Sequence, residues 1–182
     1  MFTKLRANPY FGSVLTALAW IPVAIFTVDH GFSYAKINGR SMQPTFNPDS
    51  NLLKRDTVFL NKWTATRNNF KRGEVVTLIS PTDPKQMITK RILALPGDTI
   101  KPLRNKEEKS IPIPAGHCWV EGDEAFHSID SNSFGVVPIG LIKAKVTYIL
   151  WPFSRFGPVR VRPVNPDRVK TEVFVPGKVD DH

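Results

Sequence analysis

The chain has 182 residues, enough for one domain with a substantial core and short appendages. Its formal net charge is +9, but the basic residues are scattered and form no arginine-rich helix, so the charge does not predict a nucleic-acid partner. A single cysteine, Cys118, excludes an intrachain disulfide, and the four histidines lack the paired spacing of metal ligands. We therefore predict no metal site, no cofactor and no nucleic-acid partner.

Residues 1–10 form a basic segment, and residues 11–29 form the only long apolar run. Lys4 and Arg6 precede the run, whose uncharged part approaches the about 17–25 residues that a transmembrane helix needs. We interpret residues 11–29 as a single transmembrane anchor, oriented by these charges so that the following domain is translocated. A cleavable signal peptide and a buried helix of a soluble domain are the alternatives, although the sequence Thr-Val-Asp at 27–29 is not a typical cleavage site.

Short β-branched segments separated by turn residues dominate the chain after residue 30. The clearest is 73–79, in which a turn glycine precedes a β-branched run. The predicted strands are 51–60, 73–79, 86–95, 99–103, 111–120 and 136–150. The predicted loops are 61–72, 101–109 and 121–135. This pattern predicts a mainly β, barrel-like domain over residues 30–152, followed by an irregular, proline-rich tail at 153–182.

Residues 38–46, with the sequence NGRSMQPTF, place a serine in a tight turn. Gly39 can adopt backbone angles that other residues avoid, and Pro44 restrains the chain three positions after Ser41. Such a turn displays a side-chain hydroxyl, so Ser41 is a candidate nucleophile. A serine hydroxyl is a poor nucleophile unless a base removes its proton.

Lys90 is one candidate for that base, because it lies inside an apolar strand segment. Burial disfavours the charged form of a lysine, and a neutral amine can accept a proton. His117 and His127 are alternative bases, since the sequence does not exclude that either lies near Ser41. A solvent-facing lysine without a catalytic role is the other interpretation of Lys90.

Three segments, in this order, resemble the motif boxes of the type I signal peptidases, which are membrane-anchored Ser/Lys proteases. The segments are GRSMQPTF at 39–46, KRILALPGD at 90–98, and GDE at 122–124 followed by SIDSN at 128–132. The resemblance covers about residues 10–150 and includes the apolar run. The stretch EGDEAFHS at 121–128 is most similar to the mitochondrial inner-membrane branch of the family.

The resemblance implies a role for each matching residue. Ser41 would attack the scissile carbonyl, its backbone N–H would bind the oxyanion, and Lys90 would act as the base. Ser128 would hydrogen-bond the lysine amine and orient it. Asp130 would brace this region by pairing with Arg91.

Four positions depart from the usual pattern of the family. Gly39 stands where many bacterial relatives carry a serine that helps to bind the oxyanion, so the oxyanion hole would depend on backbone N–H groups. The other departures are Ala94, Glu124 and Asn132, where glycine, asparagine and arginine are usual. These departures affect the bracing contacts rather than the Ser/Lys pair, and they fit an organellar enzyme.

The resemblance also implies a substrate, a place and a partner. The substrates would be precursor proteins, from which the enzyme removes hydrophobic sorting signals in the mitochondrial intermembrane space. The enzyme would be anchored in the lipid of the inner membrane. It would form a heterodimer with a second, related protease subunit. An extended substrate would add as a strand, with small side chains in shallow pockets. The candidate pocket residues are Ile37, Asn38, Met42 and Ile88, although Met42 can equally be a core residue.

Two other functions are compatible with parts of the sequence. A catalytically silent, membrane-anchored scaffold subunit would need the anchor but not the intact pair of Ser41 and Lys90. A self-cleaving Ser/Lys repressor has a similar nucleophile turn, but it carries a DNA-binding helix-turn-helix where this chain has its apolar run.

Overall fold

A computed structural model describes residues 10–27, 31–48, 55–103 and 110–171. Several predicted segments lie partly or wholly outside these ranges. They are the basic segment at 1–10, the end of the apolar run at 28–30, the first part of the strand at 51–60, most of the loop at 101–109 and the end of the tail at 172–182.

The apolar run forms helix α1, Tyr10–Phe26, which contains Pro22. Large apolar side chains of this helix, such as Trp20 and Ile25, are exposed. At 17 residues it is short, and among the residues that the structure describes no helix is both long and apolar enough to cross a membrane. The transmembrane anchor at 11–29 therefore stays a prediction.

The main sheet has eight antiparallel strands. Seven follow the order β1-β2-β9-β3-β4-β7-β8, and β10 pairs with β9. The strands are β1 Phe32–Lys36, β2 Thr57–Asn61, β3 Val75–Ile79, β4 Met87–Ala94, β7 His117–Glu121, β8 Val137–Pro138, β9 Ile142–Trp151 and β10 Gly157–Pro158. The prediction of a mainly β fold is confirmed. The long strand β9 lies between β2 and β3 and so joins the two halves of the sheet.

A smaller sheet has three strands in the order β11-β5-β6. These strands are β5 Asp98–Ile100, β6 Ile111–Pro112 and β11 Val169–Thr171. The segment 99–103, which was expected to continue the main sheet, instead starts this second sheet. The predicted strand at 111–120 is two strands in different sheets, because the turn at Ala115 and Gly116 redirects the chain between them.

Two predicted loops contain short helices, and the tail is more ordered than expected. Helix α2, Trp63–Thr66, lies in the loop 61–72, and helix α3, Ser131–Phe134, lies in the loop 121–135. The tail contributes β10 to one sheet and β11 to the other. The interpretation of the tail as irregular was therefore wrong for these two strands. They are ordered by pairing with β9 and β5, which the local sequence of the tail does not indicate.

Buried apolar side chains form three clusters along the sheets. The first cluster packs beneath the turn at 38–46 and includes Ile37, Met42 and Phe46. The second includes Cys118, where burial raises the pKa of the thiol to about 12, so this cysteine stays protonated and unreactive at neutral pH. The first cluster is the one that positions the candidate nucleophile.

Candidate active site

Ser41 begins a run of turn residues whose apolar members point into the core. Met42 and Phe46 are almost fully buried, and the Phe46 N–H donates to the Met42 carbonyl at 2.9 Å. Gly39, just before the turn, has a φ of +89°, which a side-chain-bearing residue rarely adopts. Burial of Met42 and Phe46 thus holds the turn, while Ser41 itself keeps part of its surface exposed.

Lys90 lies on the central strand β4, opposite Val76 of β3, and only 3% of its surface is exposed. Its Nζ donates to the Ser128 Oγ at 2.9 Å. Burial lowers the pKa of Lys90, and the negative charge of Asp130 opposes this shift only in part. A lysine in this environment is closer to neutrality than a surface lysine, which a general base requires.

The loop after β7 approaches both Ser41 and Ser128 at Gly122. A Cβ atom at this position would lie 2.3 Å from the Ser41 carbonyl oxygen and 2.4 Å from the Ser128 Oγ. The next contact along the loop is a hydrogen bond from the Glu124 N–H to the same Ser41 carbonyl, at 3.1 Å. The nucleophile turn and the serine that contacts Lys90 therefore meet at a glycine.

Asp130 shapes this loop through its carboxylate. It accepts hydrogen bonds from the Gly122 N–H at 3.0 Å and from the Asn132 N–H at 3.1 Å, and the second of these caps helix α3. The predicted pairing of Asp130 with Arg91 is wrong, because Arg91 faces Asp123 instead. Asp130 acts on the loop backbone and, through its charge, on Lys90.

Arg91 and Asp123 form a buried bidentate ion pair, with both side chains 3% exposed. The two nitrogen–oxygen distances are 2.7 Å each. Thr45 joins the pair, since its hydroxyl donates to the Asp123 carboxylate at 2.5 Å and accepts from the Arg91 guanidinium at 3.2 Å. Burial alone would raise the pKa of Asp123, but the hydrogen bonds from Arg91 and Thr45 and the charges of Arg91 and Arg162 lower it. The pair ties the nucleophile turn, β4 and the loop after β7 together.

Sequence reasoning missed the role of Asp123, although this residue was part of the third motif. The only indication in the sequence was the acidic pair at 123–124 beside a strand end. Three carboxylates, at 123, 124 and 130, were available to Arg91, and spacing does not say which of them faces β4.

Ser41 and Lys90 line one cleft of about 470 Å³. One wall is formed by residues 36–42 and the other by residues 86–90. All four predicted pocket residues, Ile37, Asn38, Met42 and Ile88, line it. Ile37 and Met42 also belong to the first core cluster, so each has one face in the core and one toward the cleft.

The two candidate histidine bases lie in different places. His127 is exposed at the rim of the cleft, with its Nδ1 3.9 Å from the Glu124 carboxylate. His117 is on β7, where its Nδ1 contacts the Ala115 carbonyl oxygen at 3.0 Å, and it does not line the cleft. Of the three candidate bases, Lys90 is the one that is buried beside Ser128.

No group of three or more metal-ligating side chains occurs among the residues that the structure describes. A hydroxyl displayed on a rigid turn and a desolvated amine in the same cleft suit acyl transfer.

Known proteins of one family are similar to most of this chain. The family model described as "Signal peptidase, peptidase S26" matches residues 10–107. The mitochondrial inner membrane protease subunit 2 of Schizosaccharomyces pombe is 46% identical over 169 residues, which is 93% of this chain and 90% of that protein. Subunit 2 of Mus musculus is 43% identical over 75% of this chain and 77% of that protein. Subunit 1 of S. pombe is 37% identical over 72% of this chain and 87% of that protein. The chain therefore belongs to the signal peptidase family, peptidase S26, a family of proteases.

Proposed function

We propose that this protein is a serine endopeptidase with a Ser41/Lys90 dyad that removes hydrophobic sorting signals from precursor proteins. The observation that carries the proposal is the hydrogen bond of 2.9 Å between the Lys90 Nζ and the Ser128 Oγ, in the cleft that Ser41 also lines. It is the arrangement expected of an oriented, desolvated general base.

In the proposed reaction, Lys90 accepts the hydroxyl proton as the Ser41 Oγ bonds to the scissile carbonyl carbon. The ammonium then returns that proton to the leaving amine as the carbon–nitrogen bond breaks. Water hydrolyses the resulting ester, with Lys90 again as the base, and restores the Ser41 hydroxyl. Ser128 holds the amine in place throughout. The Ser41 N–H would stabilise the oxyanion, because Gly39 offers no hydroxyl.

The edges of two strands support strand addition by the substrate. β1 lies at one end of the main sheet order. On β4, residues Met87 to Lys90 pair with β3, whereas pairing with β7 begins only at Arg91. The cleft-lining part of β4 thus has one edge without a strand partner among the described residues. An extended peptide could hydrogen-bond to this edge and place alternate side chains in the cleft.

For location and assembly, we propose a single-pass protein of the mitochondrial inner membrane. Residues 1–10 would precede an anchor at 11–29, and the catalytic domain at 30–152 would face the intermembrane space. The names of the subunit 2 relatives and the apolar character of α1 support this placement. The existence of related subunit 1 proteins supports a heterodimer with a second protease subunit. A catalytically silent scaffold subunit is the alternative function.

The decisive experiment is processing of a presequence substrate in mitochondria whose native copy is replaced by a variant. Ser41→Ala and Lys90→Ala should each lower the rate of cleavage by at least about 10³-fold while the protein still accumulates. Lys90→Arg should fail as well, since a guanidinium stays protonated and cannot act as a base. Lys143→Ala, which removes an exposed strand lysine outside the cleft, is the control for the loss of a lysine as such.

Normal cleavage by Ser41→Ala would overturn the proposal and favour the scaffold function. If Lys90→Arg is fully active and Ser41→Ala is inactive, Ser41 remains the nucleophile, and His127 becomes the candidate base.

A further inference from the structure

Residues 153–162 lie outside the stretch that the family model matches, yet they contact the nucleophile turn directly. We propose that Arg155 is a positioning residue for Ser41, and that residues 153–162 form a brace for the catalytic site. The inference rests on the proposed function of Ser41. It assigns a role to the first part of the proline-rich tail.

The position of the brace is set by its pairing with β9. After β9 ends at Trp151, a short 3-10 turn, Phe153–Arg155, reverses the chain. β10 then pairs antiparallel with Ile149 and Tyr148 of β9, and the Val159 N–H donates to the Thr147 carbonyl at 2.8 Å. The brace thus returns along a central strand of the main sheet.

Arg155 reaches from this reversal to the end of the nucleophile turn. Its Nη2 donates to the Thr45 carbonyl oxygen at 2.7 Å, and its Nη1 pairs with the carboxylate of Asp56. The Arg155 side chain is 26% exposed, whereas Asp56 is 1% exposed. A planar guanidinium can serve two acceptors at once, and a lysine ammonium does not reproduce that geometry.

Asp56 extends the contact to the other end of the turn. The same carboxylate accepts from the Asn47 N–H at 2.8 Å, and the Asn47 Oδ1 accepts from the Asp56 N–H at 2.8 Å. The Asn47 side-chain amide donates in turn to the Ile37 carbonyl at 2.8 Å. Ser41 lies between Ile37 and Thr45, so the network fixes the chain on both sides of the nucleophile.

The brace also contacts the groups beside the base. The Arg91 Nη1 donates to the Arg160 carbonyl at 3.2 Å, and the Arg162 guanidinium lies 3.7 Å from the Asp123 carboxylate. A Cβ atom at Gly73 would lie 2.1 Å from the Arg162 carbonyl oxygen, so the brace packs closely against the start of the strand pair β3–β4. The brace therefore contacts the nucleophile turn and the Arg91–Asp123 pair together.

These contacts predict a larger change in turnover than in substrate binding. Arg155 is not among the residues that line the cleft, so a variant at 155 removes no side chain from the wall at residues 86–90. The Ser41 hydroxyl, by contrast, loses the restraint on its turn. A displacement of about 1 Å between reacting atoms can cost about 10²-fold in rate.

The test compares Arg155→Gln and Arg155→Lys with Arg168→Gln in the full chain, in inner membranes from cells that lack the native copy. Arg168 is a matched control, because it forms a similar ion pair with Glu121, with exposures of 22% and 5%. Its guanidinium hydrogen-bonds to Glu121 and to the Lys101 carbonyl rather than to the nucleophile turn. The substrate is a quenched fluorescent peptide with alanine at the first and third positions before the scissile bond. The measured quantities are kcat, KM and the Tm of the solubilised chain, with Ser41→Ala as the inactive reference.

We expect Arg155→Gln to lower kcat by at least about tenfold, with KM changed less than about threefold. Arg168→Gln should lower the Tm comparably and leave kcat within about twofold. Arg155→Lys keeps a cation beside Asp56, so it should fold while kcat stays reduced. Added guanidinium ion should restore part of the kcat of Arg155→Gln and have no effect on Arg168→Gln.

Equal kcat values for Arg155→Gln and Arg168→Gln, or a wild-type kcat for Arg155→Lys, would overturn the brace. If Arg155→Gln fails to fold, the kcat of Arg155→Lys decides: a reduced value supports the brace, and a wild-type value overturns it. Activity that survives Ser41→Ala would refute the proposed function instead, so the two failures are distinguishable.

Discussion

Replacing Gly122 by alanine adds one methyl group at a point where the structure has no space for it. The new Cβ would lie 2.3 Å from the Ser41 carbonyl oxygen and 2.4 Å from the Ser128 Oγ. Ordinary van der Waals contact begins near 3.4 Å, so the loop and its neighbours must separate by about 1 Å. Neither neighbour can yield easily, because one is backbone and the other is the buried side chain that contacts Lys90.

Two effects should follow from this separation. Overpacking in a well-packed region costs about 1–3 kcal/mol, which lowers the Tm. The nucleophile turn also moves relative to Ser128, and a misplacement of this size can lower kcat/KM by about 10²-fold. The loss of activity should therefore be larger than the modest loss of stability would explain.

The assay measures kcat/KM on the alanine-containing peptide and the Tm of the solubilised chain for Gly122→Ala and Gly140→Ala. Gly140 is the matched control, since a Cβ there meets nothing within 4 Å and its backbone is outside the left-handed region. We expect Gly140→Ala to stay within about 0.5 kcal/mol and twofold of the wild type. Wild-type kcat/KM in Gly122→Ala would refute the close approach of the three segments.

Three further predictions concern the charges around the dyad. Activity should fall as the pH drops through the lowered pKa of Lys90, because the protonated amine cannot act as a base. Asp130→Asn should move that fall to lower pH, since the charge of Asp130 raises the pKa of Lys90. An unchanged midpoint in the pH profile of Asp130→Asn would contradict this. Lys90→Met should be inactive yet have a higher Tm at neutral pH. Between the ordinary pKa of a lysine and the lowered pKa of Lys90 in the folded chain, the unfolded chain binds more protons at this residue than the folded one. The wild type therefore loses stability as the pH falls through this range, and Lys90→Met does not. A Tm of Lys90→Met below that of the wild type would argue against a desolvated lysine. Asp123→Ala should lower the free energy of unfolding by about 3–5 kcal/mol in a denaturant titration, since it leaves Arg91 buried without its partner; a loss below about 1 kcal/mol would count against the pair.

Most of the fold class was predictable because its determinants are local. The β-branched run at 73–79 and the segment at 86–95 contain the strands β3 and β4 that the structure has there. The prediction of one strand at 111–120 was wrong because the turn at Gly116, which has a φ of +74°, lies between β6 and β7 and permits a change of sheet. Local propensity indicates that a segment is extended, but it does not say which neighbour it pairs with.

The sequence predicted which residues form the candidate site, but not which of the surrounding residues contact each other. The three motifs named Ser41, Lys90 and Ser128, and the structure places Ser41 and Lys90 in one cleft and Ser128 against Lys90. The partner of Arg91 was missed, and so was the contact of Arg155 with Thr45, because the partners are separated by 32 and 110 positions in the chain.

The sequence by itself determined that the protein is mainly β and belongs to the signal peptidase family, since strand propensity and ordered motifs are properties of short segments. The tertiary structure decided which carboxylate pairs with Arg91, why position 122 is a glycine, and that residues 153–162 contact the nucleophile turn. Each of these depends on the register between strands that are distant in the chain. Register is set by the packing of whole sheet faces, and no single segment carries that information.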